Sequence, residues 1–377
     1  MEKCKLGDIC EIVSGSTPKT TIEEYWDGDV KWITPAELNE NVYIINDSVR
    51  KITKLAVEKT GLSSFPEGTV ILSTRAPIGK VAIAGCEMYC NQGFKNLICS
   101  EKIFNKYLYW FLKGNTMFLN SLGRGATFKE ISKAIVSEIE INVPEIEEQH
   151  EIVKILEKVN TIIRFRKQEL SVLDTLVKAR FVEMFGDAVD NPMGWEKKQL
   201  QEIVTDDCTI SYGIVQTGND QEEGVPVFRP VDIVNRIPKL EELKRTTEEI
   251  SNKYKRTILK GHEMLITVRA NIADTCIVGK EFKGCNVGRG IVPIRTQENI
   301  MVLEFLKYLM DSKHLNDDIK SKAKGITLIQ LNMEDLREVE LIVPPIEQQK
   351  AFVEFAEQVN KSKLYKISTL QFPCIPG

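Results

Sequence analysis

VPEIEEQHEIVKILEKVN, from Val143 to Asn160, is written again as VPPIEQQKAFVEFAEQVN, from Val343 to Asn360. Roughly half of the paired positions are identical, among them Pro144/Pro344, Ile146/Ile346, Gln149/Gln349 and Asn160/Asn360. Proline cannot sit inside a helix, so each copy closes the strand before it. In the first copy Glu147, Glu148 and Glu151 then load the opening turns with negative charge, which the helix dipole favours. Ile152, Leu156, Val159, Ile163, Leu170, Leu173 and Val177 follow on alternating four- and three-residue steps, with Arg166 at the skipped position. That coiled-coil-like seam predicts one helix running to about residue 184. Such a helix is roughly 57 Å long. A domain core needs less, so the pattern points to a spacer that pairs with another helix. The second copy continues through Val353, Ala356, Val359, Leu364, Ile367 and Leu370 and is expected to stop at Gln371-Phe372-Pro373, shorter than the first.

The repeat extends beyond the helices. TVILSTRAPIGKVAIAG (69–85) aligns without gaps on EMLITVRANIADTCIVG (263–279), placing Arg75 and Arg269 directly after an apolar strand. NQGFKNLI (91–98) matches NVGRGIVPI (286–294) through Asn91/Asn286 and Gly93/Gly288, and GATFKEI (125–131) matches GITLIQL (325–331). The order of elements is the same in both halves, so the chain is a duplicated unit rather than a solenoid, whose periods are far shorter. Strands and helices alternate irregularly, which favours α+β over a doubly wound sheet. The expected architecture is two similar domains separated by two long antiparallel coiled-coil-like helices, pseudo-twofold symmetric. Its segments are domain 1 at 1–144, a central spacer helix at 145–185, domain 2 at 186–343, and a distal helix and tail at 344–377.

The 377 residues are 42% apolar and 28% charged, as in an ordinary globular protein. Nine cysteines and three histidines lack the spacing of zinc ligands, so reduced, mostly buried thiols in a cytoplasmic protein and no metal site are expected. No apolar run is long enough to span a membrane, and MEKCKLGDICEIV does not read as a signal peptide. A net charge of −4 argues against a stand-alone nucleic-acid binder. Any such contact then relies on local basic surfaces or on partners.

Enzyme signatures are missing: there is no P-loop, no dinucleotide-binding turn and no nucleophile–histidine pairing. Asn191-Pro192-Met193-Gly194 reads as a turn rather than an adenine-holding loop. Asp274, Glu281 and Lys283 form a weak magnesium-nuclease string, which stands as an alternative function, as does a scaffold that binds only proteins. Each half does offer loops rich in basic, amide and hydroxyl groups beside strand ends. In the first half the candidate DNA-binding residues are Thr17, Lys19, Thr34, Arg75, Lys80, Asn91, Gln92, Arg124 and Thr127. In the second they are Tyr212, Gln216, Arg229, Arg269, Asn271, Arg289, Lys324 and Thr327. Arginine pairs bidentately with guanine, Asn or Gln with adenine, and lysine and hydroxyl groups hold phosphates.

The run from PEIEEQHEIVKILEKVN through LVKARFVEMFGD to NPMGWEKKQLQEIV, together with PPIEQQ, resembles the specificity subunit of Type I restriction–modification systems. LGDICEIVSGSTPKT, WITPAEL and LSTRAPIGKVAI carry the same resemblance, which covers nearly the whole chain. It implies a non-catalytic subunit whose two target-recognition domains each read half of a bipartite site in double-stranded DNA. The helices, through the seam residues Ile152 to Val177 and Val353 to Ile367, would set the gap and dock two adenine methyltransferase subunits. Motor-endonuclease subunits would join them. S-adenosylmethionine, Mg and ATP would belong to those partners, with no cofactor in this chain.

Overall fold

Glu2–Lys5 pairs antiparallel with Glu140–Val143, and Lys197–Gln199 pairs in the same way with Glu340–Ile342. These two closures bracket two compact units, Met1–Phe165 and Arg166–Gly377. The computed structural model describes residues 2–39, 42–75, 77–125, 129–233, 237–325 and 329–368.

The first unit is built on a five-stranded mixed sheet. Its order is Cys10–Ser14, Phe94–Cys99, Val70–Ser73, Val81–Ala84 and Ile44–Ile45. Val70–Ser73 is buried along its whole length, which is why it reads as an unbroken apolar run rather than an alternating one. Successive side chains point to opposite faces. Val70 and Leu72 pack with Leu108, Tyr109 and Leu112 of the helix Asn105–Gly114, whereas Ile71 packs with Phe65, Met88 and Phe94. A smaller sheet places Trp26–Ile33 between Lys51–Ile52 and, in parallel, Tyr89–Cys90.

The second unit repeats this plan with fewer strands. Glu263–Thr267 lies between Thr275–Val278 and Ile291–Ile294, and Met264 and Ile266 face Leu306 and Leu309 of the helix Leu303–Met310. Val225–Phe228 lies between Lys244–Thr246 and, in parallel, Asn286–Val287. The α+β class expected from the sequence is the one found.

The repeated stretch opens the two longest helices, Ile146–Phe185 and Ile346–Ser368. Within the second unit the far end of the first helix runs antiparallel to the second helix. Asp174 is 2.5 Å from Lys363, and the rings of Phe181 and Phe352 are 5.4 Å apart, so numbers rise on one helix as they fall on the other. Phe181, Phe185, Phe305 and Phe352 form the aromatic centre of that unit's core. Asn191 does sit in a turn. It takes φ = 50°, and its side chain exchanges two hydrogen bonds with the backbone of Trp195, at 2.8 and 2.9 Å.

Candidate nucleic-acid interface

In the first unit the backbone brings several loops to the end of the central strand Val70–Ser73. Thr74 donates its N–H to the Gly93 carbonyl at 2.8 Å, and Ile131 donates to the Thr74 carbonyl at 2.9 Å. The segment after Ser14 joins them through Ser16 N–H to Cys90 O at 2.9 Å, and the segment after Ile33 through Asn91 N–H to Ile33 O at 3.1 Å. The second unit repeats this frame. Val268 donates to Gly290, Leu331 to Val268, and Ile214 to Val287, at 2.8, 3.0 and 2.8 Å.

Glycine makes the approach possible. A Cβ on Gly15 would lie 1.9 Å from the Asn91 carbonyl oxygen, and one on Gly213 would lie 2.0 Å from that of Val287. Backbone, unlike a flexible side chain, cannot turn away. Gly213→Ala is therefore expected to destabilise the second unit by about 1–3 kcal/mol, the usual cost of overpacking. Urea unfolding checks this, and an unchanged midpoint would contradict the close approach.

The strand register corrects one pairing drawn from the sequence. Tyr89 sits opposite Trp32 in the first unit, and Asn286 sits opposite Val227 in the second. Asn286 therefore corresponds to Tyr89, and Gly290, rather than Gly288, corresponds to Gly93. Gly93 and Gly290 each lie against a proline, Pro35 and Pro230. Asn286 is fully buried, accepts from the Thr257 hydroxyl at 2.7 Å and donates to the Ser251 hydroxyl at 3.0 Å. It packs the core of the frame.

With that register, four positions of the frame correspond between the units: Thr34 with Arg229, Arg75 with Arg269, Gln92 with Arg289, and Arg124 with Lys324. Their surroundings differ in instructive ways. Thr34 and Arg229 each begin a short turn after which a carboxylate, Glu37 or Asp232, folds back onto their backbone N–H, both at 2.7 Å. Arg229 also pairs bidentately with Asp232, at 3.0 and 2.8 Å, and that hydrogen-bonded carboxylate raises its pKa. Arg75 and Arg124 flank the backbone of Glu130 in two bridges, as Arg269 and Lys324 flank Gln330. The Arg269 guanidinium donates to the Gln330 side chain at 2.7 Å, and Gln330 donates to the Tyr212 hydroxyl at 2.6 Å. Lys324 lies 3.6 Å from Asp335.

The remaining candidates divide between structural and open positions. Lys80 donates to the Pro35 carbonyl at 2.8 Å and so fastens two loops together, whereas Asn91 accepts from Gly93 N–H at 2.9 Å and shapes its own turn. The Thr17 hydroxyl donates to the Gln92 side chain. Lys19, Gln92, Arg124, Gln216, Asn271, Arg289 and Lys324 are exposed. Thr127 and Thr327 lie outside the described residues. Sequence reading passed over Asn120 and Asn316, whose amides hold the arginine loops by donating to Ile78 O at 3.2 Å and Ala273 O at 2.9 Å. Their signal was visible: both stand in the helix before the GATFKEI/GITLIQL pair.

The nuclease alternative does not survive the fold. Asp274 immediately precedes the strand Thr275–Val278, and Glu281 and Lys283 follow it. Four extended residues put roughly 13 Å between the ends of such a strand, too far for one ion to hold both carboxylates. Among the described residues the cysteines are free thiols, and burial pushes those of Cys90 and Cys276 up to about 12, leaving them protonated and unreactive. No helix is long and apolar enough to cross a membrane among the described residues.

The second unit's share of the helix seams packs within that unit. Val177, Val353, Ala356 and Val359 are buried in the second unit's core, with Leu173 packed against it. Ile152, Leu156, Val159 and Leu170 are half-buried and Ile163 is 39% exposed, while the side chains of Leu364 and Ile367 lie outside the described residues. A different stripe is open. Ile155, Ile162 and Phe165, at steps of seven and three, are 60%, 54% and 60% exposed on the first unit's part of the helix. The spacing is again that of a coiled-coil face.

A family model described as the Type I restriction modification DNA specificity domain matches residues 1–175 and 192–369. The MjaIX specificity subunit of Methanocaldococcus jannaschii, a Type I restriction enzyme subunit, is 32% identical over 371 residues, covering 90% of this chain and 82% of its own. The EcoBI specificity subunit of Escherichia coli is 24% identical over 328 residues, covering 78% of this chain and 68% of its own. Among solved structures, the Type-I S subunit from M. genitalium matches with TM-score 0.54 at 14% identity, over 98% of this chain and 91% of that one. A chain from a study of assembly and conformational transition in the type I R-M system matches with TM-score 0.60 at 20% identity, over 98% and 93%. At such identities the structural likeness bears on fold alone.

Proposed function

This chain belongs to the Type I restriction modification DNA specificity family, and from that premise we propose how its two units divide the work. Its function is recognition of DNA sequence within a restriction–modification complex. Each unit reads one half of a bipartite duplex site through the loops gathered at the end of its central strand. The carrying observation is that one backbone frame is built twice with different side chains on it. Thr34 gives way to Arg229, Gln92 to Arg289 and Arg124 to Lys324 on closely matching scaffolds, so the two halves would read different bases. Arg75 and Arg269 are half-buried, Arg269 is steadied by the Gln330 side chain, and both suit direct contact with base edges. The exposed Arg124, Arg289 and Lys324 suit phosphates, whose contacts position a protein without specifying sequence.

The chain supplies no catalytic group in this reading. Methylation and cleavage, with S-adenosylmethionine, Mg and ATP, reside in methyltransferase and motor-endonuclease subunits. The exposed stripe of Ile155, Ile162 and Phe165 is where a methyltransferase helix docks. The long helices hold the two half-sites a fixed number of base pairs apart.

The methylation motif of cells carrying the complete system tests the reading. It should be one split motif with a constant gap, and replacing residues 1–143 by those of a relative should change one half alone. A continuous motif from an active complex would sink the proposal. Arg269→Ala should relax one base position of a single half-site, at a cost of about 1–3 kcal/mol in discrimination. Arg75→Ala should do the same in the other half, and methylation of single-base variants of the site checks both.

A further inference from the structure

We propose that Gln149 and Gln349 are positioning residues that clamp each long helix to its recognition unit in a fixed direction, and thereby set how strictly the gap is enforced. The inference rests on the bipartite reading above and deepens it.

Both glutamines are completely buried, an unusual place for an amide unless every polar atom is engaged. Gln149 accepts from the Phe104 N–H at 2.8 Å and donates to the Lys102 and Pro144 carbonyls, both at 2.9 Å. Gln349 accepts from the Val302 N–H at 2.9 Å and donates to the Ile300 and Pro344 carbonyls at 3.0 and 2.8 Å. The three bonds are the same in both units. Each ties the first turn of a long helix to the proline before it and to the loop entering the helix Asn105–Gly114 or Leu303–Met310. Two carbonyls and one N–H can be satisfied together only by a group with two donors and an acceptor, which is a primary amide. A glutamate there would set a charge against two carbonyl oxygens without water.

A rod held at one point pivots, but each helix is held at two. Glu157 accepts from the Tyr43 hydroxyl at 2.8 Å and from Lys106 at 2.9 Å. Asn360 donates to the Tyr308 hydroxyl at 3.0 Å. These second ties sit two to three turns beyond the glutamines, roughly 12 and 16 Å along the axis. The lever is long. From Gln149 to the end of its helix is about 54 Å, so a tilt of about 4° moves the far end by roughly 3.4 Å, one base-pair step. A gap counted in single base pairs therefore needs a joint stiff to a few degrees.

The test uses the assembled complex with its methyltransferase and duplexes carrying both half-sites at the native gap and at gaps one or two base pairs longer or shorter. Wild type should methylate the native gap far faster than its neighbours. Gln149→Ala, Gln149→Glu and the mirror variant Gln349→Ala should each lower that preference about tenfold, while discrimination between single-base variants of each half-site stays as in wild type. A tenfold loss corresponds to about 1.4 kcal/mol. Glu157→Ala, which removes the second tie from a more exposed place, should lower it too and serves if a glutamine variant folds poorly. Gap preference unchanged in all variants, or rates lowered equally at every gap as simple destabilisation would give, overturns the clamp. Wild type indifferent to gap length would overturn the bipartite reading itself, and the clamp with it.

Discussion

Phe352→Ala is expected to lower the stability of the second unit by about 3–5 kcal/mol, the cost of emptying a well-packed aromatic site. Phe352 is fully buried, and its ring centre lies 5.4, 5.7 and 6.2 Å from those of Phe181, Phe185 and Phe305, and 5.1 Å from that of Tyr308. Three helices thus contribute to one cluster, and their backbones are too constrained to collapse onto the space left behind. Because Phe352 belongs to the repeated helix start, the loss would also loosen the root of the second long helix. Urea unfolding measures the change, with Val172→Ala, at a position 58% exposed, as a control expected to move stability by less than about 0.5 kcal/mol. A Phe352→Ala cost below about 1 kcal/mol would mean that the cluster does not hold the helix.

The double substitution Ile162→Asp with Phe165→Asp is expected to abolish stable association with the methyltransferase while leaving the chain folded. Both side chains are more than half exposed, so charge there costs the isolated protein little. Burying each against a partner helix would contribute about 1.5–3 kcal/mol. Losing both weakens the complex by roughly 10²–10⁴-fold, and carboxylates in an apolar seam add a desolvation cost. Co-purification and sedimentation of the complex read the outcome. An intact complex would move the docking surface to another face.

The duplication and the long helix were legible in the sequence, because helix periodicity is local and a 40-residue helix leaves many positions to count. The frame of the candidate interface was legible only in part. Arg75 and Arg269 could be matched because an apolar strand precedes each at the same distance. Asn91 and Asn286 could not, since residue identity suggested a pairing two positions away from the one set by the strand ladder. Hydrogen-bond partners were out of reach for a different reason. The Asp232 that engages Arg229 is three residues away, but the Gln330 that steadies Arg269 is 61 residues away, where only folding brings it. Gln149 and Gln349 stood in plain view as identical residues, yet a polar residue after glutamates looks like solvent-facing helix until its burial is known.

The pairing of Glu2–Lys5 with Glu140–Val143 bears on how the chain is made. Glu2–Lys5 has no partner until almost the whole first unit has been synthesised, so that unit cannot close early. Once closed, its sheets draw no downstream strand among the described residues. At roughly 5–20 residues per second, synthesis of the second half then takes on the order of ten to forty seconds. During that interval the finished unit precedes its unfinished second copy. Two copies of one fold are thereby kept apart in time while each finds its own partners.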